Sequence, residues 1–219
     1  MTARTRLITA TGLVALTLAL GSCKSKGDLV LDESVGITAV RTACPAVGVP
    51  DYTGDITTFT SPGATDAASI DVTAALTNVR STCNDSGEKV YTSATFDVLA
   101  RRTNTAAART VQLPYFVTVM RGGTAVISKR LGMVTLNFAA GQERAQAKGQ
   151  GAAYVDKAEA TLSADIRDRI TRKRRAGGTD AATDPLSQPD VRTAVARATF
   201  DVLLGFQLTD QQLAYNATR

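Results

Sequence analysis

Hydrophobic and polar residues alternate through the middle of the chain, with the period of two that a strand buried on one face requires. Turn-forming sequences separate the alternating segments, and no helical spacing lies between them. The segments predicted as strands are residues 35–42, 56–60, 70–76, 90–98, 111–120, 124–138 and 144–155. Short strands joined by turns pair antiparallel, so the expected fold class is mainly β, an antiparallel β-sandwich over residues 35–157. A small closed barrel is the alternative.

One predicted hairpin, LPYFVTVMRGGTAVISKR at residues 113–130, has turn chemistry of its own. Gly122 and Gly123 supply the positive-φ positions of a tight turn, and Pro114 indicates an edge or a bulge. Gly132 is expected to interrupt the second strand. The stretch resembles hairpins of immunoglobulin- and fibronectin-like domains, and this resemblance implies a sandwich of that type.

The period changes after residue 157, where apolar residues recur every three or four positions. Leu162, Ile166 and Ile170 predict a helix. Ser163 is expected to cap its start. The basic residues 172–175 are expected in its last turn, where cations are common.

A second helix is predicted from Asp190 to near Gly205. Its apolar face consists of Val191, Ala194, Val195, Ala198 and Val202. Residues 198–203 repeat the sequence ATFDVL of residues 94–99, but the spacing of their neighbours predicts helix for the second copy and strand for the first. A sequence typical of a capping box at residues 209–212 predicts a last short helix. Residues 158–219 are therefore expected to form a C-terminal helical region.

The chain begins with a segment typical of a secretion signal. Two arginines precede an apolar run of 14 residues at positions 7–20, which is shorter than the ~20 residues that span a membrane. The sequence LGSC at residues 20–23 resembles a lipobox, the cleavage site of bacterial lipoprotein precursors. This resemblance implies that residues 1–22 are removed and that Cys23 carries fatty acyl chains as a membrane anchor. A secretory signal with a chance cysteine, or a buried core segment, is the alternative.

Residues 23–34 are polar and charged and are interpreted as a tether. In lipoproteins of this type, a lysine at the second mature position, here Lys24, indicates the outer membrane. The expected location is therefore the cell envelope, with the protein lipid-anchored at the outer membrane and facing the periplasm. In that oxidising compartment Cys44 and Cys83 are expected to form a disulfide. Two buried free thiols are the alternative.

The composition excludes several kinds of chemistry. The chain has no histidine, which excludes Ser-His-Asp and Cys-His catalysis, and no tryptophan, which excludes the tryptophan-centred core of antibody domains. The aspartates at 180, 184 and 190 lack the spacing of a calcium loop. The carboxylates considered for acid–base catalysis are scattered along the chain: Asp71, Asp97, Glu143 and Glu159. No catalytic residue, metal site or cofactor is therefore predicted.

Positive charge is concentrated in one short segment. The chain carries a net charge of +5, and its basic residues cluster at Arg167, Arg169, Arg172, Lys173, Arg174 and Arg175. Cations at the end of a helix complement its dipole, and this is the favoured interpretation. The alternative is binding to anionic lipid, lipopolysaccharide or an acidic partner. The mild total charge and the envelope location argue against a nucleic-acid partner.

The pattern as a whole, including the C-terminal sequence ATFDVLLGFQLTDQQLAYNATR, resembles short envelope lipoproteins of alphaproteobacteria. The resemblance implies an anchor and a location but no activity. We expect a non-enzymatic structural or adaptor protein that binds another envelope component. The alternatives are a lipid- or glycan-binding module and, less favoured, a carboxylate-based hydrolase. An exposed apolar patch would favour a protein partner, whereas an apolar cavity with a few polar groups would favour a small ligand.

Overall fold

The computed structural model describes residues 42–172, 177 and 183–218. Within these residues the strands are β1 (Ala46–Gly48), β2 (Asp55–Phe59), β3 (Ile70–Asn84), β4 (Lys89–Arg102), β5 (Arg109–Arg121), β6 (Ala125–Phe138), β7 (Arg144–Asp156) and β8 (Phe200–Phe206). The α-helices are α1 (Ala164–Thr171), α2 (Pro189–Arg197) and α3 (Asp210–Thr218), and short 3-10 helices lie at Ala67–Ser69 and Pro185–Ser187. The predicted signal segment, the tether and nearly all of the strand predicted at 35–42 lie outside the described residues.

The strands form two four-stranded sheets that pack face to face. The β6 sheet has the strand order β1-β8-β5-β6, and the β7 sheet has the order β2-β3-β4-β7. Neighbouring strands are antiparallel, except that the three-residue β1 runs parallel to β8. The prediction of a mainly β sandwich is confirmed, because two separate sheets are present instead of one closed barrel.

The alternation along the strands places one face of each sheet in a shared apolar core. In β4 every second residue from Val90 to Arg102 is buried. The largest fully buried apolar side chains come from both sheets: Phe96, Phe138, Phe206, Leu113, Leu136 and Leu204. Burying one such side chain contributes about 1.5–3 kcal/mol, so the pattern that predicts the strands is also the main source of their stability.

The second copy of ATFDVL is largely a strand, and its prediction as helix is wrong. Helix α2 ends at Arg197, and β8 begins at Phe200. Strand β8 lies between β1 and β5, and Val202 and Leu204 are completely buried. A spacing of four, as between the apolar residues at 198 and 202, fits one face of a helix and one face of a strand. Pairing with two neighbouring strands decides in favour of the strand. The region predicted as helical therefore also supplies a strand to the sandwich.

The hairpin of β5 and β6 forms around the predicted glycine turn. Gly122 and Gly123 have φ angles of +62° and +72°. Pro114 lies just beyond the residues of β5 that pair with β8, and its carbonyl accepts a hydrogen bond of 2.9 Å from the backbone N–H of Gln207. The nitrogen of Pro114 faces the same side as its carbonyl. Its missing N–H therefore lies beyond the last residue of β8 that pairs with β5.

The pairing of β6 with β5 is continuous through Gly132, so the break expected there is absent, and the register shifts instead at Ile127. A Cβ atom on Gly132 would lie 2.3 Å from Cζ of Tyr115. The Tyr115 hydroxyl donates a hydrogen bond of 2.7 Å to the carbonyl of Gln150 in β7, and its ring packs edge-on against Phe96 with 5.1 Å between centroids. The glycine thus makes room for an aromatic side chain that connects the two sheets.

One long side of the sandwich, where β1 and β2 are the edge strands, is joined across both sheets, and we call it the joined side. The predicted disulfide between Cys44 and Cys83 is confirmed, with an S–S distance of 2.06 Å, and connects the residue stretch before β1 to the end of β3. Helix α3 packs beside β2, where Asn216 donates hydrogen bonds of 2.8 and 2.9 Å to the carbonyls of Tyr52 and Asp55. The predicted capping box of α3 is present, because the backbone N–H groups of Thr209 and Gln212 each donate to the other's side chain.

The opposite long side, with β6 and β7 as its edges, is called the free side. At one end of it Arg102 is 2% exposed and holds the loops that follow β4 and β6. Its guanidinium and Nε donate hydrogen bonds to four backbone carbonyls, those of Thr105, Ala107, Ala139 and Gln142, at 2.7–3.3 Å. The guanidinium also stacks 5.0 Å from the centroid of the Phe138 ring. A buried cation is thereby satisfied by peptide dipoles that no sequence pattern pointed to.

Helices α1 and α2 lie at the end of the sandwich that holds the β5–β6 turn. The backbone N–H of Gly122 donates to the carbonyl of Thr199 at 2.9 Å, and Arg121 Nε donates to the carbonyl of Arg197 at 2.6 Å. Buried Ile166 and Val191 form the apolar sides of the two helices. Ser163 precedes α1 as predicted but makes no side-chain hydrogen bond that caps it.

Candidate functional site

The predicted anchor, Cys23, lies outside the described residues. None of the helices within the described ranges is long and apolar enough to cross a bilayer. Of the predicted basic segment, Arg167 and Arg169 lie in α1, and Arg172 follows its last residue. The others, Lys173, Arg174 and Arg175, also lie outside the described residues.

Arg169 is engaged in a contact between two helices. Its Nη1 lies 2.6 Å from Oδ2 of Asp190 at the start of α2, and its Nη2 donates to the side chain of Gln188. The hydrogen bond with Asp190 raises the pKa of Arg169, and the same hydrogen bond lowers the pKa of Asp190. Arg167 lies 4.0 Å from Asp168 and is solvent-exposed. At Arg169, the geometry therefore shows a structural contact.

The four carboxylates considered for catalysis each have a separate partner. Asp71 binds Arg109 in a bidentate pair with distances of 2.6 and 2.7 Å, which raises the pKa of Arg109. The other pairs are Asp97 with Asn78, Glu143 with Arg101, and Glu159 with Arg121. Within the described ranges, no three His, Cys, Asp or Glu side chains are grouped so that they could hold a metal ion.

An open groove of about 770 Å³ crosses the outer face of the β7 sheet. Small residues such as Ala75 form its floor, and Leu99, Arg101 and Arg144 stand along it. Arg101 and Arg144 face each other across β4 and β7, and Arg101 is paired with Glu143. Farther along the same face, the exposed rings of Tyr91 and Tyr154 lie 4.9 Å apart.

The first part of β6, residues 125–133, is the most exposed apolar segment of the described chain, and we call it the β6 edge segment. Four of its apolar side chains are exposed by more than half: Val126 by 61%, Ile127 by 53%, Leu131 by 66% and Met133 by 55%. Three of them stand directly opposite partly buried apolar residues of β5. These cross-strand pairs are Val126 with Met120, Leu131 with Phe116, and Met133 with Pro114. Together they form an apolar strip two strands wide.

Two cations interrupt this strip. Lys129 Nζ lies 5.1 Å from the centroid of the Phe116 ring, and Arg130 is exposed. Within residues 42–172, 177 and 183–218, neither side chain forms an ion pair. The β6 edge segment therefore combines apolar surface with two positive charges that are not neutralised in this part of the chain.

The two faces of β6 differ between its two halves. In the second half Val134, Leu136 and Phe138 point into the core and are at most 3% exposed. In the first half Ser128 and Arg130 point to the same side but are exposed. Apart from Gly132, the side chains on both faces of the β6 edge segment are therefore exposed to solvent.

The sequence contains a partial signal for this site. The glycine turn predicts residues 124–138 as the returning strand of a hairpin, and cations in the middle of an apolar strand are typical of sheet edges. The position of β6 at the edge follows from the strand order, which pattern analysis does not provide. Comparison of the chain with protein-family models, curated proteins and solved structures finds no match.

Proposed function

We propose that this chain is a lipid-anchored envelope lipoprotein that acts as a non-enzymatic adaptor and binds another envelope protein through the β6 edge segment. The anchor is Cys23, acylated at the outer membrane, with the sandwich facing the periplasm. The basis for the anchor is the resemblance of residues 20–23 to a lipobox. The basis for the adaptor role is the surface of the sandwich.

The observation that carries the proposal is the cluster of exposed apolar side chains on β6. Single exposed apolar residues are ordinary on protein surfaces, but contiguous patches mark interaction sites. Here Leu131 and Met133 lie two residues apart on one face of an edge strand and are each exposed by more than half. Burying them against a partner would remove this apolar surface from water, which favours association.

The groove on the β7 sheet supports a second candidate, a lipid- or glycan-binding module. The exposed Tyr91–Tyr154 pair provides an aromatic surface of the kind on which sugar rings stack, and Leu99 provides apolar surface. The charge of Arg101, which lines the groove, is already paired with Glu143. The groove is also open, whereas ligand pockets bury most of a ligand's surface, so the protein-binding role is preferred.

The test is photocrosslinking in intact cells that produce the full chain. A photoreactive amino acid at Leu131 is expected to crosslink one envelope protein, and the same group at Leu99, on the outer face of the other sheet, is expected not to crosslink that protein. Substituting Met133 with Glu should reduce the Leu131 crosslink. Equal crosslinking from both positions, or no protein crosslink from Leu131, would contradict the proposed adaptor role.

The anchor is tested separately. Changing Cys23 to Ala should remove acyl labelling and leave the protein in the soluble or uncleaved fraction. Changing Cys44 to Ala is the matched control, and it should leave acyl labelling intact. Acyl labelling that persists in the Cys23 variant would refute the anchor without affecting the assignment of the β6 edge segment.

A further inference from the structure

The backbone of the β6 edge segment is open for pairing on one side. Strand β6 is the last strand of its sheet, and within the described residues it pairs only with β5. A strand in this position presents a row of backbone N–H and C=O groups along its outer edge, which can pair with an additional strand. Fourteen residues make β6 a long edge, so several backbone hydrogen bonds are available.

We propose that the β6 edge segment receives an extended, acidic segment of the partner protein as a fifth strand of the β6 sheet. This inference rests on the proposed adaptor function and specifies how the partner binds. In β-strand addition, backbone hydrogen bonds supply affinity, and side chains at alternate positions supply specificity.

The two cations define the charge of the incoming segment. Lys129 and Arg130 are adjacent in the strand, so their side chains point to opposite faces of the sheet. Opposite charges that face each other across paired strands are stabilising, and like charges are destabilising. The residues that pair with Lys129 and Arg130 are therefore two consecutive acidic residues of the partner.

The same cations disfavour a second copy of this chain. An antiparallel pair of two copies that uses the whole β6 edge segment is centred on Lys129, the middle of residues 125–133. In that register Lys129 faces the Lys129 of the other copy, which is unfavourable. An acidic segment has no such conflict.

The apolar residues define the rest of the incoming segment. Lys129, Leu131 and Met133 share the outer face of the sheet, because they are spaced by two. On the inner side, Ser128 is small, and the space beside Gly132 is already filled by the Tyr115 ring. The incoming strand is therefore expected to have apolar side chains on the outer face, next to its acidic residues.

The experiment maps the register of the contact in cells that produce the full chain. A photoreactive amino acid is placed in turn at Val126, Ser128, Leu131 and Met133, and the crosslinked partner residues are identified by mass spectrometry. For strand addition, the partner residue should move along one continuous segment as the probe moves along β6, by about one residue for each residue of displacement from Ser128 to Met133, where the strand is regular. That segment should contain the adjacent acidic pair.

A charge-reversal variant provides the second measurement. Changing Lys129 and Arg130 to Glu should lower the crosslinking yield by about tenfold, because like charges then face each other. Changing Lys89 and Lys148 to Glu is the matched control, since these residues lie on the β7 sheet and the net charge changes equally. The control should stay within about twofold of the unmodified chain. Replacing the partner's acidic pair with Lys should restore the yield of the charge-reversed chain.

Each result bears on one of the two proposals. Crosslinks that move in register along one acidic segment support strand addition. Crosslinks to one protein that scatter over separate segments overturn strand addition and leave the adaptor function intact. Crosslinks to a second copy of this chain overturn the acidic partner, and the absence of any protein crosslink overturns both proposals.

Discussion

The two long sides of the sandwich are closed by different means. On the joined side, the Cys44–Cys83 disulfide and helix α3 connect the β6 sheet to the β7 sheet. On the free side, the two sheets are connected by the buried Arg102 and by the Tyr115 ring that lies against Gly132. These free-side contacts involve the second half of β6 and the residues around Gly132, and the first half has none of comparable kind in the described chain.

This difference separates the regions that stabilise the fold from a surface that contributes little to its stability. The joined side and the second half of β6 contain buried side chains whose loss would leave a cavity or unpaired polar groups in the protein. The β6 edge segment has exposed side chains whose removal would cost the fold little. A surface that the fold does not require, and that is nonetheless apolar, is the part of the molecule best suited to an interaction with a partner.

The largest expected effect is at Arg102. Changing Arg102 to Met should lower the free energy of unfolding by about 4 kcal/mol, because four backbone carbonyls lose the charged donor that holds two loops together. Urea denaturation followed by circular dichroism measures the change. Arg101 is the matched control, since it is the neighbouring arginine with a side chain 67% exposed, and its change to Met should cost less than about 1 kcal/mol. Equal losses in the two variants would show that Arg102 does not hold the free side.

The role of Arg102 illustrates the limit of prediction from the sequence. Alternation predicted most of the strands, because burial of one face is a local property of the chain. The cysteine count predicted the disulfide, and the residues at 209–212 predicted the cap of α3. The carbonyl partners of Arg102 are brought together by two loops that are distant in sequence, and no local pattern indicates such an arrangement.

The error at residues 198–203 has the same origin. Ala198 and Val202 fit a helical face, and the identical hexapeptide at 94–99 is a strand, so local propensity does not separate the two structures. Strand β8 is determined by its pairing with β1 and β5. The same applies to the candidate site. The composition of β6 was visible in the sequence, but its position as an edge strand depends on the order of strands.

The second effect in size concerns the joined side. Changing Cys44 and Cys83 together to Ala should lower the free energy of unfolding by up to about 4 kcal/mol, because the disulfide restricts the unfolded chain. The two cysteines are 39 residues apart, which sets the length of the closed loop. Urea denaturation of the variant and of the unmodified protein, with and without reductant, measures the difference. If reductant destabilises the double variant as much as the unmodified protein, the disulfide is not responsible.

A smaller effect is expected at Gly132, where the Tyr115 ring connects the two sheets on the free side. Changing Gly132 to Ala should cost about 1–3 kcal/mol, because the new Cβ would collide with the Tyr115 ring and displace it from its contact with β7. The double variant with Tyr115 changed to Leu should cost less than the sum of the two single changes, because the collision is then removed. Thermal denaturation of the three variants measures the coupling. Strict additivity would show that Tyr115 is not the residue that requires glycine at position 132.

The smallest effect is expected within the β6 edge segment, and adjacent residues provide its control. Changing Met133 to Ala should alter the free energy of unfolding by less than about 0.5 kcal/mol, since the side chain is 55% exposed. Changing Val134 to Ala should cost about 2 kcal/mol, because that side chain is 3% exposed and points into the core. Both variants keep the strand and its pairing with β5, so the difference reports burial alone.

The same pair of variants connects stability to binding. Met133 is proposed to contact the partner, so its change to Ala should weaken the crosslink from Leu131 in cells while leaving the denaturation curve unchanged. Val134 faces the core, so its change to Ala should move the denaturation curve and leave the crosslink intact as long as the protein is folded. If Met133 proves as important for stability as Val134, the β6 edge segment is part of the folded core. Its apolar side chains would then be explained by the fold, and the reason to assign them to a partner would be lost.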